Sequence, residues 1–417
     1  MIDYKRFTLD NGLRVIVHED AATAMACVNI LYDVGARDES PDKTGFAHLF
    51  EHLMFGGSVN IPNFDSPLQE VGGENNAFTS NDITNYYITL PAENVETAFW
   101  LESDRMLSLA FSEHSLEVQR SVVIEEFKQR YLNQPYGDVW LKLRPLAYKV
   151  HPYSWATIGK SLSHIEDASM EDVRAFFDQH YVPNNAIMVV TGNVDTDQIK
   201  MLAEKWFGDI PAKPRMSRSL PTEPPQTEAR REEVEADVPV DSLYIAFHGV
   251  DRLHADYPVM DLLSDILSRG SSSRLYRALV KDQPLFSEVN AYVMGSVDNN
   301  LFVIEGKPLP QVSLKEAEQQ LWNQLHLLSN ELVGDLELQK VKNKIESTMV
   351  FAELSILDKA MNLAFYEALG DANLYNLEVD KYLAVSRADL QRVARQVFVK
   401  ENSSTLIYHA KEVSHVE

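Results

Sequence analysis

The stretch Gly45-Phe-Ala-His-Leu-Phe-Glu-His-Leu-Met-Phe55 is the most informative part of this sequence. Its composition favours a helix, and Gly56-Gly57 ends that pattern. His48 and His52 are four residues apart, so both imidazoles project from one face of the helix and can share a metal ion. Glu51 adjoins His52 on the same helix. The stretch therefore predicts a metal-binding helix with a further carboxylate beside the two ligands.

The residue types in this helix are those of hydrolytic zinc chemistry. Zinc lowers the pKa of water to about 7 and polarises a carbonyl, while a nearby carboxylate takes the proton and passes it to the leaving amine. The pattern His-x-x-Glu-His is an inverted form of a zinc-peptidase motif. We expect one Zn²⁺ per chain, with His48 and His52 as ligands and Glu51 as the catalytic base. The plainer alternative is a pair of structural histidines that flank a glutamate on a half-buried helix.

A third ligand is expected from the segment 116–130, which has the pattern of a helix. Two adjacent glutamates are available there. Glu126 lies three and four residues after Val123 and Val122, on an apolar stripe that should face inward. Glu125 shares its face with polar residues. A metal ligand must face inward, so Glu126 is the preferred ligand, and Glu125 is the alternative that would otherwise be a solvated surface carboxylate.

Composition limits the classes of function. The chain has 417 residues, is 45% hydrophobic and is long enough for two or more domains. Its formal charge of -24 repels phosphate backbones, so we expect no nucleic-acid partner. Cys27 is the single cysteine, which excludes an internal disulfide.

The sequence also bears on location. No run approaches the roughly 20 apolar residues of a membrane span, and the N-terminus has no apolar signal-peptide core. We therefore expect a cytoplasmic protein with no membrane contact, although a targeting segment removed earlier would leave no trace in the sequence.

The two halves of the chain resemble each other. Leu116-Glu-Val-Gln119-Arg120 recurs as Leu336-Glu-Leu-Gln339-Lys340, and the stretch 172–181 recurs near 389–398 at almost the same spacing. In both copies a helix precedes an apolar strand. This arrangement predicts an α+β fold of two homologous domains, each a mainly antiparallel sheet covered by helices.

Breaker residues suggest where one domain ends and the next begins. The predicted ranges are 1–210 for the metal-binding domain, 211–240 for an extended linker rich in proline and charge, and 241–417 for a homologous domain without the metal motif. The first domain should open with a hairpin turning at Asn11-Gly12. The second should resume with an apolar strand at 243–247 and a helix at about 257–268.

These motifs resemble those of the pitrilysin/insulinase family of zinc peptidases. Within it they resemble the short-chain branch that contains the catalytic beta subunit of mitochondrial processing peptidase and its bacterial homologues. The resemblance covers essentially the whole chain. Besides His48-Leu-Phe-Glu-His52, it rests on the segments Arg120 to Glu126, Gly72-Gly73-Glu-Asn-Asn76-Ala77-Phe-Thr79, His151-Pro-Tyr153 and Tyr181-Val-Pro-Asn-Asn185.

The resemblance implies a processing-peptidase-like duplicated fold and a metalloendopeptidase activity. His48, His52 and Glu126 would hold zinc and Glu51 would be the base. Two chains would form a dimeric chamber that admits unfolded peptides or oligopeptides. Residues 76–79 would be an edge strand to which the substrate adds as a further strand. The substrate-binding residues implied in this way are Asn76, Ala77, Phe78 and Thr79.

This sequence departs from the family pattern at two places. Relatives usually carry a glutamate one heptad before the metal-binding glutamate, where it supports the ligands without contacting the metal. This chain has Gln119 there, which can still hydrogen-bond but adds no charge. Relatives also place an arginine and, seven residues later, a tyrosine where this chain has Val280 and Ser287. We therefore expect a heterodimer with a homologue that supplies this pair. Candidate substitutes within the chain are Arg274, Tyr276 and Tyr292.

An alternative function belongs to a different class. Some relatives are non-catalytic assembly or peptide-binding subunits of processing-peptidase-like complexes, and those usually lack the zinc residues. Alignment of the two copies places Leu262, Asp265 and Ile266 opposite His48, Glu51 and His52 in this chain. The second copy should therefore bind no zinc, and the first should carry the chemistry.

Overall fold

The structure is a computed structural model that describes residues 1–214 and 218–411. The strands are β1 (Lys5–Thr8), β2 (Arg14–Glu19), β3 (Met25–Tyr32), β4 (Glu74–Thr79), β5 (Thr84–Pro91), β6 (Ala186–Gly192), β7 (Arg230–Ala236), β8 (Ser242–His248), β9 (Phe286–Val293), β10 (Leu301–Pro308) and β11 (Ser403–Ala410).

The helices alternate with these strands along the chain. They are α1 (Phe46–Leu53), α2 (Asp65–Glu70), α3 (Val95–Leu107), α4 (Glu113–Phe127), α5 (Val139–Ala147), α6 (Leu162–Glu166), α7 (Met170–His180), α8 (Thr196–Phe207), α9 (Tyr257–Ser268), α10 (Leu314–Asn330), α11 (Asp335–Ala352), α12 (Ile356–Ala368), α13 (Glu378–Ala384) and α14 (Arg387–Val397).

The first sheet starts with the predicted hairpin. Gly12 adopts a φ of +86°, a left-handed conformation that glycine tolerates, and β1 pairs antiparallel with β2 on either side of the turn. The strand order is β1-β2-β6-β3-β5-β4. The β2–β6 pair is parallel and the remaining pairs are antiparallel. This confirms a mainly antiparallel sheet.

Both faces of the first sheet are apolar because its central strands alternate two sets of buried side chains. On one face Ile16, Leu31 and Ile187 join a core cluster with Leu363 of α12. The neighbouring positions of the same strands, such as Val15, point to the opposite face and are also buried. Helix α3 packs against β3 and β5, and α8 packs against β2. The sheet is therefore covered by helices, as expected for an α+β fold.

The second sheet repeats the arrangement of the first. Its order is β7-β11-β8-β10-β9, and its β7–β11 pair is parallel, as is the corresponding β2–β6 pair. The strand at 243–247 and the helix at 257–268 predicted from sequence are confirmed as β8 and α9. Helices α9, α10 and α14 cover one face, and α5 covers the other. The five strands of the second sheet thus follow the order of β2, β6, β3, β5 and β4 in the first sheet, and β1 has no counterpart among the described residues.

The two compact units are not continuous in sequence. One unit contains residues 1–128, 155–220 and 349–377, and the other contains 129–154, 221–348 and 378–417. Each unit therefore includes one helix that the sequence-based ranges assign to the other half, α12 in the first and α5 in the second. Amphipathic patterns show that a helix packs on a sheet, but they do not show on which of two similar sheets. The two homologous repeats at 1–210 and 241–417 stay a prediction.

The predicted linker at 211–240 is wrong for part of its length. Residues 215–217 lie outside the described residues, but 230–236 form strand β7 at the edge of the second sheet. The sequence Arg-Arg-Glu-Glu-Val-Glu-Ala looks unlike a strand because an edge strand needs few apolar residues and is often charged. Glu223, in the same stretch, is buried and accepts backbone hydrogen bonds from residues 149–151.

None of the helices in residues 1–214 and 218–411 combines the length and hydropathy that would let it cross a membrane.

Candidate metal centre

Helix α1 carries the predicted motif, and its N-terminus is held by a distant side chain. Gly45 precedes the helix with a φ of +91° and has no side chain to cap the free N–H groups. The buried carboxylate of Glu39 takes that role. Its two oxygens accept hydrogen bonds from the backbone N–H groups of Gly45 and Ala47, each at 2.9 Å. Ala47 directly precedes His48, so this contact fixes the turn that carries the first histidine.

The buried face of α1 sets the direction of its polar face. Phe46, Leu49, Phe50 and Leu53 are buried, with Phe50 stacked against rings of α7 and its C-terminus. The opposite face bears both histidines. Their rings lie 4.8 Å apart between centroids and are nearly perpendicular. A helix anchored on one side in this way presents its histidines without freedom to rotate about the helix axis.

The two histidines and Glu126 converge. Nε2 of His48 lies 3.5 Å from Oε2 of Glu126, and Nε2 of His52 lies 3.4 Å from the same oxygen. Ligand atoms held about 2.0–2.2 Å from a tetrahedral zinc ion are roughly 3.3–3.6 Å apart. The separations match that geometry, and two imidazoles with one carboxylate are a donor set that suits zinc. The side chains retain 13% to 25% exposure, which leaves an approach from solvent.

The structure distinguishes the two adjacent glutamates of α4. Glu126 points to the histidines, whereas Glu125 is 60% exposed and ion-paired with Lys128. The argument from an inward apolar stripe was correct for Val123, which is buried, and wrong for Val122, which is 44% exposed. The buried stripe of α4 is narrower than expected and consists of Leu116, Val123 and Phe127. Glu126 adjoins Phe127 and is half-buried.

Glu51 lies beside this cluster and contacts a different element. Its Oε2 accepts a hydrogen bond of 2.5 Å from the hydroxyl of Thr79, the last residue of β4. Burial raises the pKa of Glu51, while the Thr79 hydroxyl and His52 act in the opposite direction. A carboxylate with these properties is suited to accept and return a proton. It contacts Thr79 and is separate from the three metal-facing groups.

Strand β4 forms the open edge of the first sheet. It pairs only with β5 among the described strands, and its side chains alternate between exposed and half-buried positions. Asn76 and Phe78 are on the exposed side, whereas Ala77 and Thr79 are on the side of α1. The backbone N–H of Ala77 donates to Oδ1 of Asn76 at 2.8 Å. The four residues predicted to bind substrate thus divide into two faces.

The second unit replaces these groups with apolar residues and an ion pair. Leu262 and Ile266 are fully buried in its core. Asp265, opposite Glu51 in the alignment, is also buried and accepts hydrogen bonds from Nζ of Lys344 at 2.8 Å to both oxygens. The expectation that this copy lacks the zinc ligands is consistent with these contacts.

Of the candidate substitutes for the arginine–tyrosine pair, two already have partners within the chain. Arg274 forms two hydrogen bonds with Glu337, and Tyr292 donates to Glu305. Tyr276 is 39% exposed at the start of a π-helical turn, Tyr276–Asp282. Val280 packs against the core, and the hydroxyl of Ser287 donates to the carbonyl of Lys307.

Some features of the site could not be read from the motifs. Gln119 is half-buried on α4, one heptad before Glu126, and its support of the metal ligands stays a prediction. The contact of Thr79 with Glu51 and the capping by Glu39 were missed. The one signal for Glu39 was the glycine before α1, because a helix without a capping side chain must find its acceptors elsewhere.

Comparison with known proteins agrees with this fold. The family model described as Insulinase (Peptidase family M16) matches residues 14–154, and the model described as Peptidase M16 inactive domain matches residues 167–345. The chain is 30% identical over 413 residues to a Helicobacter pylori protein named zinc protease PqqE, covering 97% of this chain and 92% of that protein. The chain therefore belongs to the insulinase family, M16.

Individual relatives extend the comparison to structure. A crystal structure described as a protease from Helicobacter pylori has 29% sequence identity and a TM-score of 0.92, covering 98% of this chain and 100% of the other. A protein of Arabidopsis thaliana named probable mitochondrial-processing peptidase subunit beta is 25% identical over 264 residues, which is 62% of this chain and 49% of that protein. His48, His52 and Glu126 all lie in the region matched by the first family model.

Proposed function

We propose that this protein is a zinc-dependent endopeptidase that cleaves unfolded peptides or oligopeptides. The observation that carries the proposal is the convergence of His48, His52 and Glu126 within 4.8 Å of one another, with Glu51 beside them. Two adjacent glutamates on α4 could have faced either way. The one that faces the histidines completes a set of three protein ligands, the number typical of catalytic zinc sites.

Each side chain has a defined task in this proposal. His48 and His52 hold zinc through Nε2, and Glu126 holds it through a carboxylate oxygen. Zinc, when bound, supplies a Lewis acid that makes water acidic near neutral pH and polarises a peptide carbonyl. Glu51 takes a proton from water at its carboxylate and delivers it to the leaving amine. Its partly buried position favours proton transfer because burial raises the pKa of Glu51 and makes the carboxylate a better proton acceptor.

The open edge of β4 offers a way to bind peptides of varied sequence. A substrate that adds as a strand beside β4 would bond to main-chain groups, which every peptide has. The exposed side chains of Asn76 and Phe78 would then contact the substrate. Asn76 already accepts the Ala77 N–H, so its amide must move aside or share that donor when a peptide binds.

A partner chain belongs to the same proposal. Arg274 and Tyr292 are held by Glu337 and Glu305, which favours a donor pair from elsewhere. A dimer whose second member is a homologue with the arginine and tyrosine would supply it and enclose the substrate in a chamber. Each lost donor to a developing oxyanion costs about 3 kcal/mol in other enzymes. The chain alone should therefore be a slow peptidase.

The test uses a peptide library digested by the purified chain, with and without a chelator. We expect cleavage that the chelator abolishes and zinc restores, and a kcat for Glu51→Gln lower by about 10²- to 10⁴-fold. Glu70→Gln, an exposed carboxylate of α2, is the matched control and should retain activity.

The same digest is repeated with any co-purifying homologue, and a gain in cleavage is expected if that chain supplies the donors. A protein that binds peptides equally with and without Glu51 but never cleaves them would instead be a non-catalytic subunit.

A further inference from the structure

The side chain of Glu51, a residue of α1, forms a hydrogen bond with the hydroxyl of Thr79, a residue of β4. Thr79 donates to Oε2 of Glu51 at 2.5 Å. The base and the donor come from different elements, α1 and β4, that are 28 residues apart in the chain. Glutamate has three rotatable side-chain bonds, so a base carried on a helix needs such a contact to stay in one position.

Strand pairing and the turn that follows it hold the backbone of Thr79 in place. It pairs with Thr84 across the β4–β5 ladder. Beyond it, the turn is closed by Ser80, whose backbone N–H donates to the carbonyl of Ile83 and whose hydroxyl accepts from Asp82 and Ile83. A β-branched side chain has few χ1 rotamers, so the backbone position decides where the hydroxyl points.

We propose that Thr79 is a positioning residue for the base, not a substrate-binding residue, an inference that rests on the proposed function. By donating to Oε2, the hydroxyl restricts the Glu51 side chain to one position, and the backbone N–H of Thr79 faces the same carboxyl group. The hydroxyl also keeps the carboxylate aimed along one direction relative to His52. No bond to the substrate is made by the Thr79 side chain.

This assignment differs from the one implied by family resemblance, in which residues 76–79 together bind the peptide. The faces of β4 separate the two roles. Asn76 and Phe78 lie on the exposed side, whereas Thr79 is half-buried on the side of α1. A residue that binds substrate changes KM, whereas a residue that orients the base changes kcat, because its effect arises only when the proton moves.

The experiment compares Thr79→Val, which keeps the shape and removes the hydroxyl, with Thr79→Ser, which keeps the hydroxyl. Thr89→Val is the matched control, since Thr89 lies at the far end of the same strand pair, opposite Glu74. For each zinc-loaded protein, kcat and KM are measured on one peptide, together with zinc content and Tm. Crystal structures of the zinc-loaded wild type and Thr79→Val show the Glu51 side chain directly.

We expect Thr79→Val to lower kcat by on the order of 10- to 100-fold at unchanged KM and zinc content. Thr79→Ser should retain kcat within a few-fold of wild type, and Thr89→Val should not change it. In the crystals, Glu51 should contact Thr79 in the wild type and leave that position in Thr79→Val.

Three results would overturn the inference: a rise in KM with kcat unchanged, equal losses in the valine and serine variants, or a wild-type Glu51 turned away from Thr79. Should Thr79→Val fail to fold, Thr79→Ala replaces it in the comparison with Thr79→Ser. If the wild type shows no zinc-dependent cleavage, the proposed function fails, and the crystal structures still decide whether Thr79 holds Glu51.

Discussion

At the scale of single residues, two neighbouring glutamates illustrate how position on a helix selects chemistry. Glu125 and Glu126 have the same side chain and lie on the same turn of α4. Glu125 is exposed and paired with Lys128, so its charge is solvated. Glu126 is turned towards two imidazoles and is the ligand expected for a bound cation. A rotation of about 100° around the helix axis separates a surface carboxylate from one that faces two imidazoles.

A pair of isosteric substitutions tests this distinction. We expect Glu126→Gln to lower zinc affinity strongly, because it removes a charged ligand, so that the purified protein loses most of its metal on dialysis. Glu125→Gln should retain the metal content of the wild type. Metal analysis after dialysis against a weak chelator measures both. Equal loss of metal from both variants, or loss only from Glu125→Gln, would show that Glu126 is not the third ligand.

The motif made part of the site predictable from sequence, because four-residue spacing on a helix is a local property. His48, His52 and Glu51 needed no tertiary information, whereas the preference for Glu126 used a helical pattern of α4 that holds for Val123 and not for Val122. The link from Thr79 to Glu51 could not be predicted, since it joins a strand to a helix. Such contacts depend on the register of β4 against β5 and on the packing of α1.

At the scale of elements, the anchoring of α1 decides how firmly the histidines are held. The helix has eight residues, too short to be stable alone, and its first N–H groups would lack acceptors without Glu39. Burial raises the pKa of Glu39 to about 8. An ionised carboxylate accepts with both oxygens, whereas a glutamine side chain has one acceptor oxygen and an NH₂ group that only donates.

We therefore expect Glu39→Gln to reduce the free energy of unfolding by about 1–3 kcal/mol, because one buried N–H loses its acceptor. The folded state binds the Glu39 proton more tightly than the unfolded state does. The advantage of the wild type over the variant should be full below about pH 4.5 and decline as the pH rises towards about 8. Denaturant unfolding of both metal-free proteins at several pH values measures it. A difference independent of pH would contradict the raised pKa.

Among the elements, sequence patterns succeeded where one strong periodicity or turn signal was present. The hairpin at Asn11-Gly12, strand β8 and helix α9 were found in that way. Strand β7 was missed because its side chains are mostly charged and only Val234 among them is a strong strand former. Its place in the sheet comes from parallel pairing with β11, which lies far away in sequence.

At the scale of the whole molecule, each unit contains one helix from the other half of the sequence. Helix α12 comes from the second half of the chain and covers the first sheet, where the hydroxyl of Thr191 donates to the carbonyl of Ile356. Helix α5 comes from the first half and covers the second sheet. Repeat patterns predicted two similar domains, but the placement of α12 and α5 depends on three-dimensional packing and was not predictable from those patterns.

Because α12 covers the first sheet, we expect a fragment that lacks this helix to fold poorly. A fragment of residues 1–220 lacks α12, so the face with Ile16, Leu31 and Ile187 would be exposed. We expect it to bind hydrophobic dyes and aggregate. A control fragment with 349–377 joined through a flexible linker should show better-dispersed amide resonances and less dye binding. Independent folding of the shorter fragment would show that α12 is dispensable for the first unit.

Asp265 and Lys344 form an ion pair in the second unit. Asp265 occupies the position that corresponds to Glu51, and its counterion is the ammonium group of Lys344, which is covalently part of the chain. A chelator cannot remove this positive charge, and a low concentration of metal does not affect it. We therefore expect the packing around α9 to be independent of the metal supply, because the buried carboxylate of this helix keeps its counterion at all times.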